Sequence, residues 1–86
     1  MPYIDQAIRA SLEDGRRPTK VGELNYIVTR LIDAYLMVNG LSYTQINAVI
    51  GVLECAKMEL YRRIAAPYED KKSRESGDVY VSINNL

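Results

Sequence analysis

Apolar residues recur at steps of three and four positions along two long stretches of the chain. In the first stretch, 21–39, the recurring residues are Leu24, Val28, Leu31, Tyr35 and Val38. In the second stretch, 43–66, they are Ile46, Val49, Ile50, Leu53, Ala56, Leu60 and Ile64. A period near 3.6 residues is typical of an amphipathic helix that turns one face toward a hydrophobic core. The pattern therefore predicts two long helices.

Residues at the ends of these stretches indicate where the helices begin and end. Thr19 is suited to cap the first helix, and Asn39-Gly40 is a strong signal for its end. Ser42 and Gln45 form a capping box at the start of the second helix. Because the link between the helices is short, we expect an antiparallel helical hairpin.

Shorter elements flank the predicted hairpin. A short helix is expected over 3–13, and Gly15 ends it. Pro67 is expected to break or kink the second long helix, and a short polar helix is expected over 67–76. The remaining residues, 77–86, are predicted to form an extended or short-helical tail that starts in a turn.

A second apolar row lies on the second long helix, roughly opposite the main stripe. This row consists of Ala48, Val52 and Cys55. Apolar residues make up 48% of the 86 positions, which is more than a chain of this size easily buries on its own. We therefore expect this second row to meet another subunit, so that a single all-α domain assembles as a helical-bundle homo-oligomer, and a two-fold dimer is the commonest solution.

Charge and composition narrow the function classes. The chain has 11 basic and 11 acidic residues, so no net charge attracts it to long nucleic acids or anionic membranes. It has one cysteine and no histidine, which excludes a disulfide framework, a zinc site and a histidine-activated nucleophile. No cofactor or metal is implied, although carboxylates alone bind some cations. The chain lacks a signal peptide and an apolar run of spanning length, so a cytoplasmic location is expected.

Four polar residues lie on the side of the first long helix away from its apolar stripe. They are Glu23, Asn25, Tyr26 and Arg30. Most residues in such positions are simply solvated, and we expect the same here.

Lys57 interrupts the apolar stripe of the second long helix. Glu54 lies three residues before it and Tyr61 four residues after it. The amine either pairs with Glu54, extends along its stem into solvent, or binds a phosphate group between helices. In the same helix, Gly51 beside Asn47 indicates either a close helix–helix approach or room for a ligand.

Tyrosines alternate with cations in the segment 61–72. Arginine forks suit phosphate groups and tyrosine rings stack on bases, so the segment suits a nucleotide-like ligand. Alternatively, the cations complement the carboxyl end of a helix and the tyrosines form a protein interface. The full candidate ligand-binding set is Tyr26, Asn47, Glu54, Lys57, Tyr61, Arg62, Arg63, Tyr68, Lys71 and Tyr80.

Several short phrases recur together in a known family. These are Met1-Pro2-Tyr3-Ile4, Gly22-Glu23-Leu24-Asn25-Tyr26, Gly51 with Glu54, Tyr61-Arg62-Arg63, Ala66-Pro67-Tyr68-Glu69-Asp70 with Lys71, and Gly77-Asp78-Val79-Tyr80. The chain thereby resembles, over nearly its whole length, a family of small helical proteins of unknown function from bacteriophages and bacterial genomes. The resemblance implies a phage or prophage setting and brings no catalytic residues. In size and context, the chain is similar to phage sponge proteins, which bind cyclic nucleotides or ADP-ribose-like immune signals.

Three functions are consistent with these features. The first is an oligomer without catalytic residues that sequesters a nucleotide-derived immune signal and so counters bacterial defence. The second is an interaction module that inhibits a host protein through its tyrosines and arginines. The third is a magnesium-dependent nucleotide pyrophosphatase, which would need several carboxylates on paired helices. Glu54 and Glu59 project about 140° apart on one helix, and Asp33 lies on the other, so this third function is the least favoured.

Overall fold

The computed structural model describes residues 1–85, and within that range the chain is helical without a strand. The all-α class predicted from the sequence is confirmed. The four α-helices are α1 (Gln6–Glu13), α2 (Val21–Asn39), α3 (Tyr43–Leu60) and α4 (Ala66–Ser76). A π-helical turn, Tyr61–Ala65, joins α3 to α4, and a 3-10 turn, Ser82–Asn85, ends the described chain. Leu86, the last residue of the predicted tail, lies outside the described residues.

The first helix is shorter than its apolar pattern predicts. Asp5 is the N-cap of α1, and its carboxylate accepts a hydrogen bond of 2.9 Å from the backbone N–H of Ala7. The cap fixes the helix start at Gln6, so the predicted start at residue 3 is wrong. The residues before Asp5 form a non-helical segment instead.

Two compact units make up the chain, Met1–Val49 and a second that begins at Ile50. In the first unit, α1 packs against α2, and Leu12 and Tyr26 are buried. Gly22 lies where the non-helical N-terminal segment crosses α2. A Cβ atom at this position would lie 3.1 Å from Cγ2 of Ile4 and 3.5 Å from the carbonyl oxygen of Met1. The absence of a side chain at Gly22 therefore permits the close approach.

The packing partner of α2 in this unit differs from the one predicted. Within residues 1–49, α1 packs along α2, whereas the first turns of α3 do not. The link to α3 is a hydrogen bond of 2.8 Å from the Tyr35 hydroxyl to Oε1 of Gln45. The predicted core stripe of α2 is left exposed, from 37% at Val28 to 85% at Val38. The stripe stays exposed because α1 packs on the other side of α2, the side that carries Glu23 and Tyr26. There Tyr26 bonds to Glu13 of α1, and Glu23 bonds to Arg16 and Thr19 of the loop before α2.

The second unit consists of the rest of α3, the π-helical turn, α4 and the tail. Pro67 does not interrupt the helical path. The π-helical turn comes first, with the N–H of Ala66 bonded to the carbonyl of Tyr61, five residues earlier. Pro67 then occupies the first turn of α4, where a missing N–H costs little. Gly77, at a φ of 87°, ends α4.

Candidate functional site

Glu23 is a buried carboxylate at the start of α2, only 5% exposed. Its Oε1 atom accepts hydrogen bonds from the backbone N–H of Thr19 at 3.0 Å, the Thr19 hydroxyl at 3.4 Å and the Arg16 guanidinium at 3.2 Å. These bonds lower the pKa of Glu23, the Thr19 N–H most and the Arg16 bond next. The residue therefore fastens the preceding loop to α2, and the expectation that it is simply solvated is wrong.

Tyr26 links α1 and α2 in the first unit. Its hydroxyl donates a hydrogen bond of 2.8 Å to Oε1 of Glu13, at the end of α1. Arg30 donates to the same oxygen at 3.2 Å and to Asp33 at 2.6 Å. The guanidinium of Arg9 lies 5.6 Å from the centre of the Tyr26 ring, a cation–π distance. An open depression of about 220 Å³ lies over this network.

The pKa values in this network follow from its hydrogen bonds. The Tyr26 hydroxyl, and to a smaller extent Arg30, lowers the pKa of Glu13. In turn, the bond to Glu13 raises the pKa of Tyr26 above its usual 10.0, and burial adds to this effect. The hydroxyl of Tyr26 is thus engaged within the chain, and the residue holds α1 on α2. Of the ten predicted ligand-binding residues, Tyr26 is the one for which the structure gives a clear structural role.

Lys57 and Glu54 form an ion pair on α3, with Nζ and Oε1 3.2 Å apart. Their side chains are 72% and 58% exposed, so the pair lies in solvent. At Gly51, three residues before Glu54, a Cβ atom would meet no neighbouring atom within 4 Å. Of the two explanations offered for this glycine, the close helix–helix approach is therefore not present within the described chain. Because the Lys57–Glu54 ion pair is exposed, it contributes only about 0–1 kcal/mol.

Arg62 and Arg63 both reach Glu59, one turn earlier. Nη2 of Arg62 lies 3.2 and 3.1 Å from the two carboxylate oxygens of Glu59. Nη1 of Arg63 lies 3.9 Å from Oε1. Two guanidinium groups thus share one carboxylate, which leaves most of their donors directed to solvent and a local excess of positive charge.

The other predicted site residues of the second unit are also exposed. The Tyr68 ring lies 5.6 Å from Nζ of Lys72. Nζ of Lys71 lies 4.0 Å from Glu75. In the tail, the backbone N–H of Tyr80 donates a hydrogen bond of 2.8 Å to Asp78, while the Tyr80 side chain is 71% exposed. These residues present aromatic faces and cations along α4 and the tail without forming a shared cluster.

An open groove of about 710 Å³ runs along the end of α3 and the π-helical turn. Three predicted site residues line it, Lys57, Tyr61 and Arg62, together with Cys55, Met58, Glu59, Leu60 and Ala65. The surface that lines the groove is mostly apolar, and Lys57 and Arg62 are among the lining residues, an arrangement that suits a ring bearing a negative group. Asn47 belongs to the first unit and is exposed on α3.

Glu13 and Arg16 are the structurally important residues that the sequence pattern does not reveal. Each lies outside the apolar periodicity and pairs with a residue seven or more positions away. The phrase Gly22-Glu23-Leu24-Asn25-Tyr26 contains the residues with which Glu13 and Arg16 pair. The structure explains its first two residues and its last one through packing and hydrogen bonds.

Two further observations concern the described residues as a whole. None of the helices there combines the length and apolar character needed to cross a bilayer. Among residues 1–85, no group of three or more cysteine or acidic side chains is arranged to hold a metal ion.

Comparison with known proteins places the chain in a family without assigning it an activity. No curated protein and no solved structure matches it. A family model, described as a domain of unknown function (DUF6899), matches residues 1–79. Because this match covers far more than half of the chain, the chain belongs to the DUF6899 family.

Proposed function

We propose that this protein is a homo-oligomeric helical binding protein that captures a phosphate-bearing, nucleotide-like small molecule. The observation that carries the proposal is the exposure of α3. Every residue from Ile50 to Leu60 is exposed, although the segment carries the apolar stripe residues Ile50, Leu53 and Leu60. Such a stripe on a helix indicates a surface that another molecule covers.

The energy available from this surface suits self-association. Ile50, Leu53, Leu60 and Ile64 are 42–63% exposed. Full burial of one such side chain contributes about 1.5–3 kcal/mol, so covering four half-exposed ones contributes about 3–6 kcal/mol per chain. Two chains together gain about 6–12 kcal/mol, which is comparable with the cost of association, about 4–15 kcal/mol. A two-fold assembly uses the same stripe on both chains.

The cations of the groove support the ligand class. Lys57 and Arg62 line the groove together with Tyr61, and their carboxylate partners are exposed. Because exposed ion pairs are weak, a phosphate group can replace Glu59 as the partner of Arg62. The tyrosine ring offers a stacking surface for a base.

In a phage setting, this binding would withhold a nucleotide-derived immune signal, such as a cyclic nucleotide or an ADP-ribose derivative, from the bacterial host. The phage setting is what the family resemblance implies, and the proposal locates the protein in the host cytoplasm. Binding alone would suffice for the role, so no catalytic group is required of the chain.

Calorimetry against a panel of cyclic dinucleotides and ADP-ribose derivatives tests the proposal. We expect one ligand to bind, and Arg62→Ala to weaken it tenfold or more because a charge-assisted hydrogen bond is lost. Arg74→Ala, in α4 outside the groove, is the matched control and should bind as the parent does. Absence of binding across the panel, with no ligand recovered by mass spectrometry from the purified protein, would refute the ligand class.

A second candidate function is inhibition of a host protein. The exposed apolar stripe of α3 and the adjacent tyrosine and arginines have the composition of an interface hot spot. In that case a host protein from lysate should displace the second copy from the stripe. A tagged chain would then elute as a one-to-one complex with the host protein and no longer as a homo-oligomer.

A further inference from the structure

We infer that the second copy docks antiparallel along α3, with the two-fold axis at the level of Cys55, so that Lys57 of each chain pairs with Glu54 of the other. The inference rests on the proposed self-association and names its surface and geometry. Cys55 itself lies on the opposite side of the helix from Leu53, since residues two apart differ by about 200° around an α-helix.

The apolar stripe has the symmetry that such a pairing needs. Ile50 and Leu60 lie five positions to either side of residue 55, and Leu53 and Lys57 lie two positions to either side. An antiparallel two-fold pair therefore places Ile50 opposite Leu60 and Leu53 opposite Lys57. Each apolar side chain of this set then meets an apolar side chain or the hydrocarbon stem of a lysine.

The charges fit this register. Glu54 and Lys57 differ by about 60° around α3, so both lie on one flank of the stripe. In an antiparallel pair, identical flanks of the two helices face each other. Lys57 lies opposite Leu53 of the other copy, one position from that copy's Glu54. At a rise of about 1.5 Å per residue, the axial distance to the other copy's Glu54 is about 1.5 Å, whereas the axial distance to Glu54 of the same chain is about 4.5 Å. The geometry favours exchange of the internal ion pair for one between chains.

Other registers lose either the ion pair or the apolar pairing. An axis at Ala56 keeps Lys57 within one position of the other copy's Glu54, but it places Ile50 opposite Arg62 and Leu53 opposite Glu59. With the axis at Leu53, Lys57 lies opposite Val49, and no carboxylate is near it on the facing flank. With the axis at Lys57 itself, the two ammonium groups oppose each other and repel. The apolar positions and the Glu54–Lys57 pair together thus favour this register, as polar and apolar positions together set the register in other helical pairs.

Disulfide trapping tests the geometry. In a Cys55→Ser background, Ile50→Cys and Leu60→Cys chains are prepared separately, and each is oxidised alone and after mixing. We expect a disulfide-linked dimer from the mixture and none from either chain alone. Linkage of each variant to itself would indicate a parallel pair of helices. Absence of linkage in the mixture would exclude this surface as the interface. Either result overturns the inference.

Charge reversal provides an independent test. Glu54→Lys and Lys57→Glu should each weaken self-association tenfold or more, and their mixture should form a heterodimer at parental strength. Within each variant the residues at positions 54 and 57 carry like charges and repel. Only an ion pair between the two chains therefore explains a recovery of association strength in the mixture. If sedimentation shows a dimer but both tests fail, self-association stands and this geometry falls. If the parent protein is a monomer, the proposed assembly falls as well.

Discussion

Truncation of Leu53 isolates the contribution of the apolar stripe to self-association. Leu53 is 42% exposed in the single chain. Since full burial of a leucine contributes about 1.5–3 kcal/mol, covering this exposed part contributes about 1 kcal/mol per copy and about 2 kcal/mol per dimer. Leu53→Ala should therefore raise the dimer Kd by about 30-fold, at tenfold per 1.4 kcal/mol. Alanine is the best helix former, so α3 itself should persist.

Val52→Ala is the matched control, one position away on the same helix. Val52 is more exposed than Leu53, at 66%, but it belongs to the second apolar row. Analytical ultracentrifugation over a concentration series gives both Kd values, and circular dichroism checks that helix content is unchanged. We expect Val52→Ala to leave the Kd within a few-fold of the parent. The reverse result, a loss with Val52→Ala and none with Leu53→Ala, would assign the interface to the second row and overturn this prediction.

Three further predictions concern packing, pH and ligand affinity. Gly51→Ala should stabilise the fold by up to about 1 kcal/mol, because no atom lies close to the added Cβ. Gly22→Ala should lack that gain, because its Cβ would lie 3.1 Å from Ile4 in the N-terminal segment. Thermal melts of the two variants compare the gains, and equal gains would contradict the packing described at Gly22. Because the pKa of Glu13 is lowered by folding, its contribution to stability is present above the usual value of 4.5 and is lost as the pH falls through the folded pKa. Tyr26→Phe should reduce this acid dependence in melts at several pH values, and an unchanged profile would contradict it. Glu59→Gln should free its two arginine partners and raise affinity for a phosphate-bearing ligand several-fold in calorimetry, whereas weaker binding would show that the carboxylate contacts the ligand.

The sequence predicts the helices better than it predicts their packing. The range 21–39 coincides with α2, because Gly40 supplies a positive φ just beyond the last turn. Ser42 caps α3 as its motif indicates, with its hydroxyl accepting the N–H of Gln45 at 3.2 Å. The start of α1 is less predictable, since the Asp5 cap competes with the apolar pattern before it.

Packing depends on contacts that periodicity does not encode. The stripe of α2 predicts a buried face, but Glu23 and Tyr26 on its other side are the buried residues. Their burial requires partners from the loop and from α1, and helical spacing says nothing about those partners. Likewise, the sequence groups ten candidate site residues, and the structure places three of them along one groove while assigning Tyr26 to the link between helices.

Sedimentation velocity of the parent chain across micromolar concentrations decides whether a second copy covers the exposed face of α3, on which the binding and docking proposals both depend. We expect a dimer or a larger closed assembly, and we expect Leu53→Ala to weaken its association. A monomer at every concentration, with full helix content by circular dichroism, would show that α3 is stable without a second copy and would contradict both proposals.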